Sequence, residues 1–385
     1  MSNVTNDIIQ CTADFINHFI VSSTTIDEII EYVYGMLIEI YDKKNIYIEY
    51  IEQVISEHYS EYNTKYNFIN DSLLNTERVK QLIEKPQSIQ RSEEWFNQRK
   101  NSIGASELSS IFNKNPFCSY NKLLLKKAGY VEPAMSNTNI YCQHGIKYEE
   151  IVQKIYSERT HQEIIDFGSI EHEKHSFIRA SPDGITPDGI MLEIKVPLSR
   201  KLYGIPPIYY WYQVQQQMEV AELNSCDFLE CKIKEYCSWK SFLDDNYKGD
   251  YSKTDKDDEK GILIEYIDKD KSFNYVYPKK IKYTFKTRKE WEKIIYGEVA
   301  LLKSEVLGDP TKTFSRIVSW AVDEYSCLRV YRNKWWWENN FHLMEECWNK
   351  VIYHQKNGYT ELIKKKITRP KKPLNNTYNF ILDSD

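Results

Sequence analysis

Glycine and proline are scarce, at 13 and 12 of 385 residues, so the chain is neither collagen-like nor a low-complexity linker. None of its eight cysteines stand in a CxxC pair, and the nearest three, Cys226, Cys231 and Cys237, lack zinc-type spacing. That excludes a zinc ribbon or a disulfide scaffold. It reads as reduced, buried structural thiols in a reducing intracellular compartment. Long apolar runs are missing too. The most apolar N-terminal stretch, Ile29 to Ile40, is broken by Glu31 and Glu39, far short of the ~20 residues that cross a bilayer. The first ten residues lack the basic start and apolar run of an export signal, so no membrane association is expected. Excess positive charge is absent as well. Lys and Arg number 51 against 56 Asp and Glu, a net charge of −5. A uniformly basic DNA coat is excluded, while a local basic groove is not, because screening makes binding a local matter.

Aromatic side chains are plentiful: 30 Tyr, 15 Phe and 9 Trp, too many for a disordered chain and enough for a sizeable core. At ~150 residues per domain the length predicts two or three domains. Residues 1–90 read as a helical accessory domain. Thr25-Ile26-Asp27-Glu28 is a capping box, and Ile29, Ile30, Val33, Leu37 and Ile40 follow at helical spacing. A second helical stretch holds Ile46, Ile48, Ile51, Val54 and Ile55, and a third runs near Leu73 to Ile83. Pro86 and the polar segment Gln87 to Gln90 mark a boundary. Nothing in this part carries a chemical signature. From 91 onward helices and strands mix, which predicts a second domain over 91–385, with its core at 91–235 and further strands and helices at 236–385. Strand-like runs occupy Asp227 to Lys234 and Gly261 to Asp268, and helices are expected over Arg288 to Leu307 and Phe341 to His354. The charged stretch Thr254 to Lys260 reads as a solvated loop. The basic run Lys364 to Lys372 reads as a solvated tail, with DNA-backbone contact as the alternative.

The chemistry concentrates around Ser181-Pro182-Asp183-Gly184 and Met191-Leu192-Glu193-Ile194-Lys195. Phe177 to Ala180 reads as a strand entering the turn. Beyond it, period-two geometry sets Leu192, Ile194 and Val196 on a core face and Glu193 and Lys195 on the other. The turn brings Asp183 alongside both. Two carboxylates at the end of a hairpin make a hard-oxygen site suited to Mg²⁺ or Mn²⁺. A lysine among them can orient a water and offset the charge of a phosphorane. Alone, this short pattern equally describes a hairpin with a surface salt bridge. Three companions shift the balance. His144 to Glu149 opens a helix with Ile151 and Ile155 on its apolar side and adds a third carboxylate, Glu149. Tyr210 to Met218 reads as a helix with Val214, Met218 and Ala221 on one stripe and Gln213, Gln216 and Gln217 on another face. That face either meets phosphate or a metal-bound water, or is simply solvated. Arg99 precedes Ile103 to Leu108, a helix start N-capped by Ser106 with Leu108, Ile111 and Phe112 as its buried side. It makes either an anion pocket or a plain capped helix.

In order and spacing, Arg99-x6-Ser106, Gly145-x2-Tyr148-Glu149, Ser181-Pro182-Asp183-Gly184, Leu192-Glu193-Ile194-Lys195 and Tyr210-x2-Gln213 are similar to the phage lambda exonuclease type. These YqaJ-like viral recombinases belong to the PD-(D/E)XK nuclease superfamily, and the blocks also resemble the alkaline exonucleases of large DNA viruses. The likeness covers 91–235, extends loosely to Leu328 through Trp335, and is absent from the first 90 residues. It implies a mixed α/β (α+β) fold, a restriction-endonuclease-like PD-(D/E)XK core with a central mixed sheet flanked by helices, joined to the N-terminal helical domain. It implies Asp183, Glu193 and the Ile194 carbonyl as ligands of Mg²⁺ or Mn²⁺, with Glu149 as a further ligand. Lys195 would position the attacking water and Gln213 support the site. Arg99 and Ser106 would hold a 5′-terminal phosphate, with Tyr210 and Arg332 contacting DNA.

The implied activity is a Mg²⁺-dependent 5′→3′ exonuclease on double-stranded DNA in viral replication, recombination or repair, in the host cytoplasm or a viral replication site. A single-strand-annealing protein is an implied partner. The alternatives are an endonuclease or ribonuclease of the same fold, and a non-catalytic DNA-binding recombination scaffold. The scaffold predicts loss of Asp183, Glu193 or Lys195, and all three are present. No feature requires the ring-shaped trimer of lambda-type members, so monomer and trimer both stay open. Among weaker signals, His172-x2-His175 reads as a polar strand-loop edge rather than a metal pair. Trp335-Trp336-Trp337 reads as core packing, with Arg332 and Lys334 as candidate phosphate contacts.

Overall fold

The N-terminal capping box forms: the Thr25 hydroxyl accepts from the Glu28 N–H, and the Glu28 carboxylate accepts from the Thr25 N–H at 2.8 Å. After α1 (Asn3–Phe19), it opens α2 (Ile26–Ile40), which buries Ile29, Ile30, Val33 and Leu37 of the sequence stripe but leaves its last member, Ile40, exposed at the helix end. Next come α3 (Ile48–His58) and α4 (Ser72–Glu84). The computed structural model describes residues 3–19, 25–41, 45–59, 72–89, 92–130 and 139–367. Among them no helix is long and apolar enough to cross a membrane.

A helical layer and a small sheet follow: α5 (Glu93–Lys100), β1 (Ile103–Gly104), α6 (Ala105–Ile111), α7 (Tyr120–Lys127), α8 (Ile140–Thr160), β2 (Ile170–Glu171) and β3 (Ile178–Ala180). The three strands pair in the order β1-β3-β2. Then come the hairpin β4 (Gly184–Ile185) and β5 (Ile190–Lys195), and the helix α9 (Ile208–Ala221) leading into β6 (Ser225–Glu235). The C-terminal part runs α10 (Trp239–Asp244), β7 (Lys260–Ile267), β8 (Phe273–Val276), α11 (Arg288–Leu307), β9 (Thr313–Tyr331), α12 (Lys334–Asn357) and α13 (Thr360–Ile367). The large sheet has the order β4-β5-β6-β9-β7-β8. Only β5 and β6 are parallel in it, joined by the α9 crossover that parallel strands require. The fold is mixed α/β.

Two faces of β5 explain where the core and the site lie. Leu192, Ile194 and Val196 are buried with Tyr148, Ile151, Val152 and Ile155 of α8, as the period-two alternation requires. Glu193 points the other way, toward α9. There a second cluster joins α9, α12 and the N-terminal helices, and a third lies between β7, α10 and α11.

Several expectations are corrected. The glutamine face of α9 is not solvated: Gln213, Gln215, Gln216 and Gln217 are all buried. The cap of α6 is Gly104, with Ser106 inside the first turn, because Glu107 reaches back to the Gly104 N–H at 3.0 Å. Cys226 and Cys231 are buried, but Cys237 is exposed ahead of α10. The charged stretch ends inside: Lys260 begins β7, is 3% exposed, and donates to the carbonyls of Phe242 and Asp245 between aromatic rings. Its burial pushes the ammonium pKa down to about 8. His172 is also buried, stacked on Trp337 at 6.3 Å, and burial lowers its pKa to about 4. Trp336 and Trp337 pack in the core while Trp335 is half exposed. The α12 helix begins at Lys334, one turn and more before Phe341. The basic run enters α13 and then passes beyond the described residues.

Candidate active site

The turn between β3 and β4 bends Asp183 back onto β5. Its N–H donates to the Leu192 carbonyl at 3.1 Å, and its Oδ2 accepts from the Ile194 N–H at 2.7 Å. Gly184 follows because any Cβ there would collide with Ile164. The Asp183 carboxyl is thereby pinned beside Glu193 and Lys195. Glu193 is 1% exposed, and both its oxygens are engaged. Gln213 donates to Oε1 and Gln217 to Oε2, each at 2.6 Å, and the Lys195 ammonium pairs with Oε1. Lys195 also lies over the Tyr210 ring at 4.7 Å.

One cavity of 220 Å³ is walled by Glu149, Asp183, Glu193 and Lys195 on one side and by Trp95, Arg99, Ser106 and Arg179 on another. Arg99 donates to the Ser106 hydroxyl at 3.3 Å and stacks on Trp95 at 4.6 Å. The Trp95 ring N–H in turn donates to the Ser181 hydroxyl at 3.2 Å, linking this corner to the turn that carries Asp183. A second cavity of 670 Å³ adjoins, sharing Glu149 and Asp183 and adding Ile194, Gln153 and Asp166. Gln153, one helical turn beyond Glu149, donates to the Asp183 carbonyl at 3.2 Å and to Asp166 at 2.8 Å.

The electrostatics are strained toward the neutral acid. Burial, then the charges of Glu193 and Glu149 set against Lys195, pushes the Asp183 carboxyl well above the ordinary range. Burial alone would lower the Lys195 pKa, but Glu193, Tyr210 and Asp183 raise it, so the ammonium stays charged.

Among the described residues no three His, Cys, Asp or Glu side chains converge at metal-holding distances, because Glu193 is turned into the two amides and the ammonium. The donor chemistry nevertheless fits a hard divalent cation. Three carboxylates face one lysine with no sulfur or imidazole in the wall, and a 2+ charge placed there would relieve the repulsion on Asp183. Gln217 Oε1, buried in the same wall, has no hydrogen-bond donor, and a coordinated water is the kind of donor it lacks.

Nine of the ten residues predicted for the site lie in or against these two cavities: Glu149, Asp183, Glu193, Ile194, Lys195, Gln213, Arg99, Ser106 and Tyr210. Arg332 does not. It is buried and paired with Glu219 at 2.7 Å, and lines neither cavity. This contradicts the expected DNA contact: the guanidinium is committed to an internal partner. Sequence reasoning left Gln217 on a glutamine face without a place in the site, and missed Trp95 and Gln153. Each stands four residues from a predicted one (Gln213, Arg99 and Glu149), the spacing that stacks side chains on one helix face.

Residues 94–224 match the YqaJ-like viral recombinase domain. The chain is 34% identical over 304 residues to the uncharacterized protein R354 of Acanthamoeba polyphaga mimivirus, covering 71% of this chain and 54% of that protein. The chain thus spans about half the length of this relative. Among solved structures, an alkaline exonuclease from Laribacter hongkongensis is 16% identical with a TM-score of 0.40, covering 72% of this chain and 100% of that one. A phage related exonuclease from Haemophilus somnus 129PT is 11% identical with a TM-score of 0.30, covering 76% of this chain and 95% of that one. Over residues 94–224 the chain is thus similar to the YqaJ-like viral recombinase domain, the family that its own motif blocks resemble.

Proposed function

We propose that this chain is a deoxyribonuclease dependent on Mg²⁺ or Mn²⁺ that removes nucleotides 5′→3′ from a phosphorylated end of duplex DNA during recombination. One observation carries the reading: the Arg99–Ser106 pair and the Asp183, Glu193 and Lys195 cluster wall the same cavity. At 220 Å³ it is below the ~300–1,000 Å³ of pockets that enclose a whole ligand. It suits a terminal phosphate beside one scissile bond. An endonuclease or ribonuclease has no use for an arginine and serine set aside for an end. A non-catalytic scaffold has no use for a buried carboxylate triply held. Partners on this reading are a duplex end and a strand-annealing protein.

Asp183, Glu193, Glu149 and the Ile194 carbonyl would hold the ion, and a divalent cation there would supply charge neutralisation at the phosphate and a lowered water pKa. The chain's own residues do the rest. Gln213 and Gln217 fix the Glu193 carboxylate. Lys195, kept charged by Glu193, donates to the attacking water and offsets charge on the phosphorane. Tyr210 lies under that ammonium and limits where it can swing. Arg99, flattened on Trp95, and the Ser106 hydroxyl grip the terminal phosphate. Attack breaks the bond between phosphorus and the 3′ oxygen of the departing nucleotide. The phosphate stays on the new 5′ end, which can enter the same grip.

The test compares linear duplex bearing 5′-phosphate, linear duplex bearing 5′-hydroxyl, and closed circular DNA, each with Mg²⁺ and with EDTA. The expected result is rapid digestion of the phosphorylated end, slower digestion of the hydroxyl end, an intact circle, and no product in EDTA. Asp183→Asn should lose at least ~10²-fold in rate while staying folded. Circles cut as fast as linear DNA would sink the exonuclease reading.

A further inference from the structure

Behind the Arg99–Ser106 corner lies a buried ion pair that the reaction itself does not use. Lys127, the last residue of α7, has a side chain 1% exposed, and Glu107, in the first turn of α6, one 8% exposed. Lys127 Nζ meets Glu107 Oε2 at 2.6 Å. Each partner also grips main chain. Lys127 Nζ donates to the Arg99 carbonyl at 2.5 Å, and Glu107 Oε2 accepts from the Gly104 N–H at 3.0 Å. The two bonds close on the two ends of one short segment, from the end of α5 to the start of α6. That segment sets the separation between Arg99 and Ser106. The far side is anchored as well: Gln355 of α12 donates to the Lys127 carbonyl at 2.9 Å. Lys126 touches the other oxygen, Oε1, at 2.9 Å, but its side chain is 58% exposed and reaches no main chain of the segment.

We infer that Lys127 and Glu107 are positioning residues for the terminal phosphate, holding Arg99 and Ser106 at the spacing that grips it. The inference rests on the reading of that corner as a phosphate pocket. The chemistry of the pair supports it. A buried ammonium and carboxylate are tolerable only when paired and hydrogen-bonded, and here the remaining hydrogen bonds go to the segment that carries the two anion-binding side chains. Burial would push the Glu107 carboxyl up, but Lys127, then Lys126 and Arg99, lower it to about 2. It is therefore ionised wherever the enzyme works. The effect of the pair on phosphate is exerted through geometry: it is almost neutral in sum and separated from the cavity by the backbone it holds.

The experiment measures initial rates on 5′-phosphorylated and 5′-hydroxyl duplex ends for the full chain, with kcat and KM separated and folding followed by circular dichroism. Lys127→Met should lose about tenfold more on phosphorylated ends than on hydroxyl ends, the size expected from a lost charged hydrogen bond, and the loss should fall in KM. Lys127→Arg, which keeps the charge and donors, should recover most of the preference. Lys126→Ala should leave it unchanged. A folded Lys127→Met with intact preference overturns the inference, as do equal losses on both ends or an arginine variant no better than methionine. If Lys127→Met does not fold, the neutral pair E107Q/K127M takes its place. If that variant is also unfolded, the pair is a stability element and the inference falls. An unmodified protein that ignores the 5′-phosphate overturns the reading of the pocket and the inference with it. Preference in the unmodified protein that survives every variant removes the inference alone.

Discussion

Gln217 and Gln213 hold one carboxylate between them, and this division of labour predicts how the site fails. Each amide is 2.6 Å from its own oxygen of Glu193, and Gln217 also donates to the Ser181 carbonyl at 3.4 Å. Losing one neutral donor to a buried charge costs ~1.5–3 kcal/mol, which is ~10–100-fold in rate. Gln217→Leu and Gln213→Leu should each lower kcat by that amount with KM for duplex little changed. The double variant should lose more than the product of the two, since Lys195 alone then restrains the carboxylate. Unchanged kcat in folded Gln217→Leu would show that the carboxylate is held by other means. Gln213 was assigned to the site while Gln217 was left on an open helix face because of what a sequence displays. Motif residues such as Asp183, Glu193 and Lys195 declare themselves by short spacing along one hairpin. A supporting amide is visible only as a helix face, and glutamine on a face reads equally as solvent-exposed. Arg332 failed in the opposite sense. A basic run on paper carries no sign that Glu219 waits inside for its guanidinium.

Among elements, β9 shows what pairing leaves unfinished. Its 19 residues pair with β6 from Trp320 to Tyr331 but with β7 only from Thr313 to Ala321. Beyond Val322, whose N–H reaches the Glu259 carbonyl at 2.9 Å, one edge has no strand beside it among the described residues. Gln53 of α3 serves there, donating to the Arg329 carbonyl at 3.2 Å and accepting from the Tyr331 N–H at 3.4 Å. Arg329 and Tyr331 are two residues apart, so these groups face the same edge. Gln53→Leu keeps the volume and removes the side-chain partner of both partly buried backbone groups. It should cost ~1–3 kcal/mol, read as a shift in urea midpoint at constant slope. A change below ~0.5 kcal/mol would mean that the edge is satisfied otherwise. Elements with clear local patterns were legible: α11 spans Arg288–Leu307 as expected, β6 extends its apolar run at both ends, and β7 matches its run shifted by one residue. The length of β9 was not, because its residues from Thr313 to Tyr331 alternate between two neighbours and solvent and give no single period.

At the scale of the molecule, α3 decides how the N-terminal helices relate to the rest. Seven consecutive residues, Tyr50 to Ser56, are buried. A helix with one partner buries a stripe, whereas one buried all round is enclosed on every side. Its residues Ile51, Val54 and Ile55 share one cluster with Val33 and Leu37 of α2 and with Trp211 and Val214 of α9. Tyr47 meets Trp211 edge-on at 6.4 Å. Further along, Arg78 donates to the Ala221 carbonyl at 2.8 Å, and Arg78 and Lys85 both pair with Glu173. Gln87 and Ser88 bond the main chain at Gly168 and Ser169. The stripe in α2 predicted a helical core, yet sequence periodicity does not reveal that the same core continues into another part of the chain. The 220 Å³ cavity takes no residue from before Trp95. A fragment beginning at Ser92 therefore keeps that cavity's whole wall while exposing the α9 face that α3 covers. Each large apolar side chain returned to water forfeits ~1.5–3 kcal/mol, and several together rival the ~5–15 kcal/mol that holds a folded domain. The fragment 92–367 should melt earlier than the full chain, bind a hydrophobic dye at room temperature, and regain its melting temperature when residues 1–91 are supplied on a second chain. Equal melting temperatures with no dye binding would mean that the α9 face is covered without the N-terminal helices.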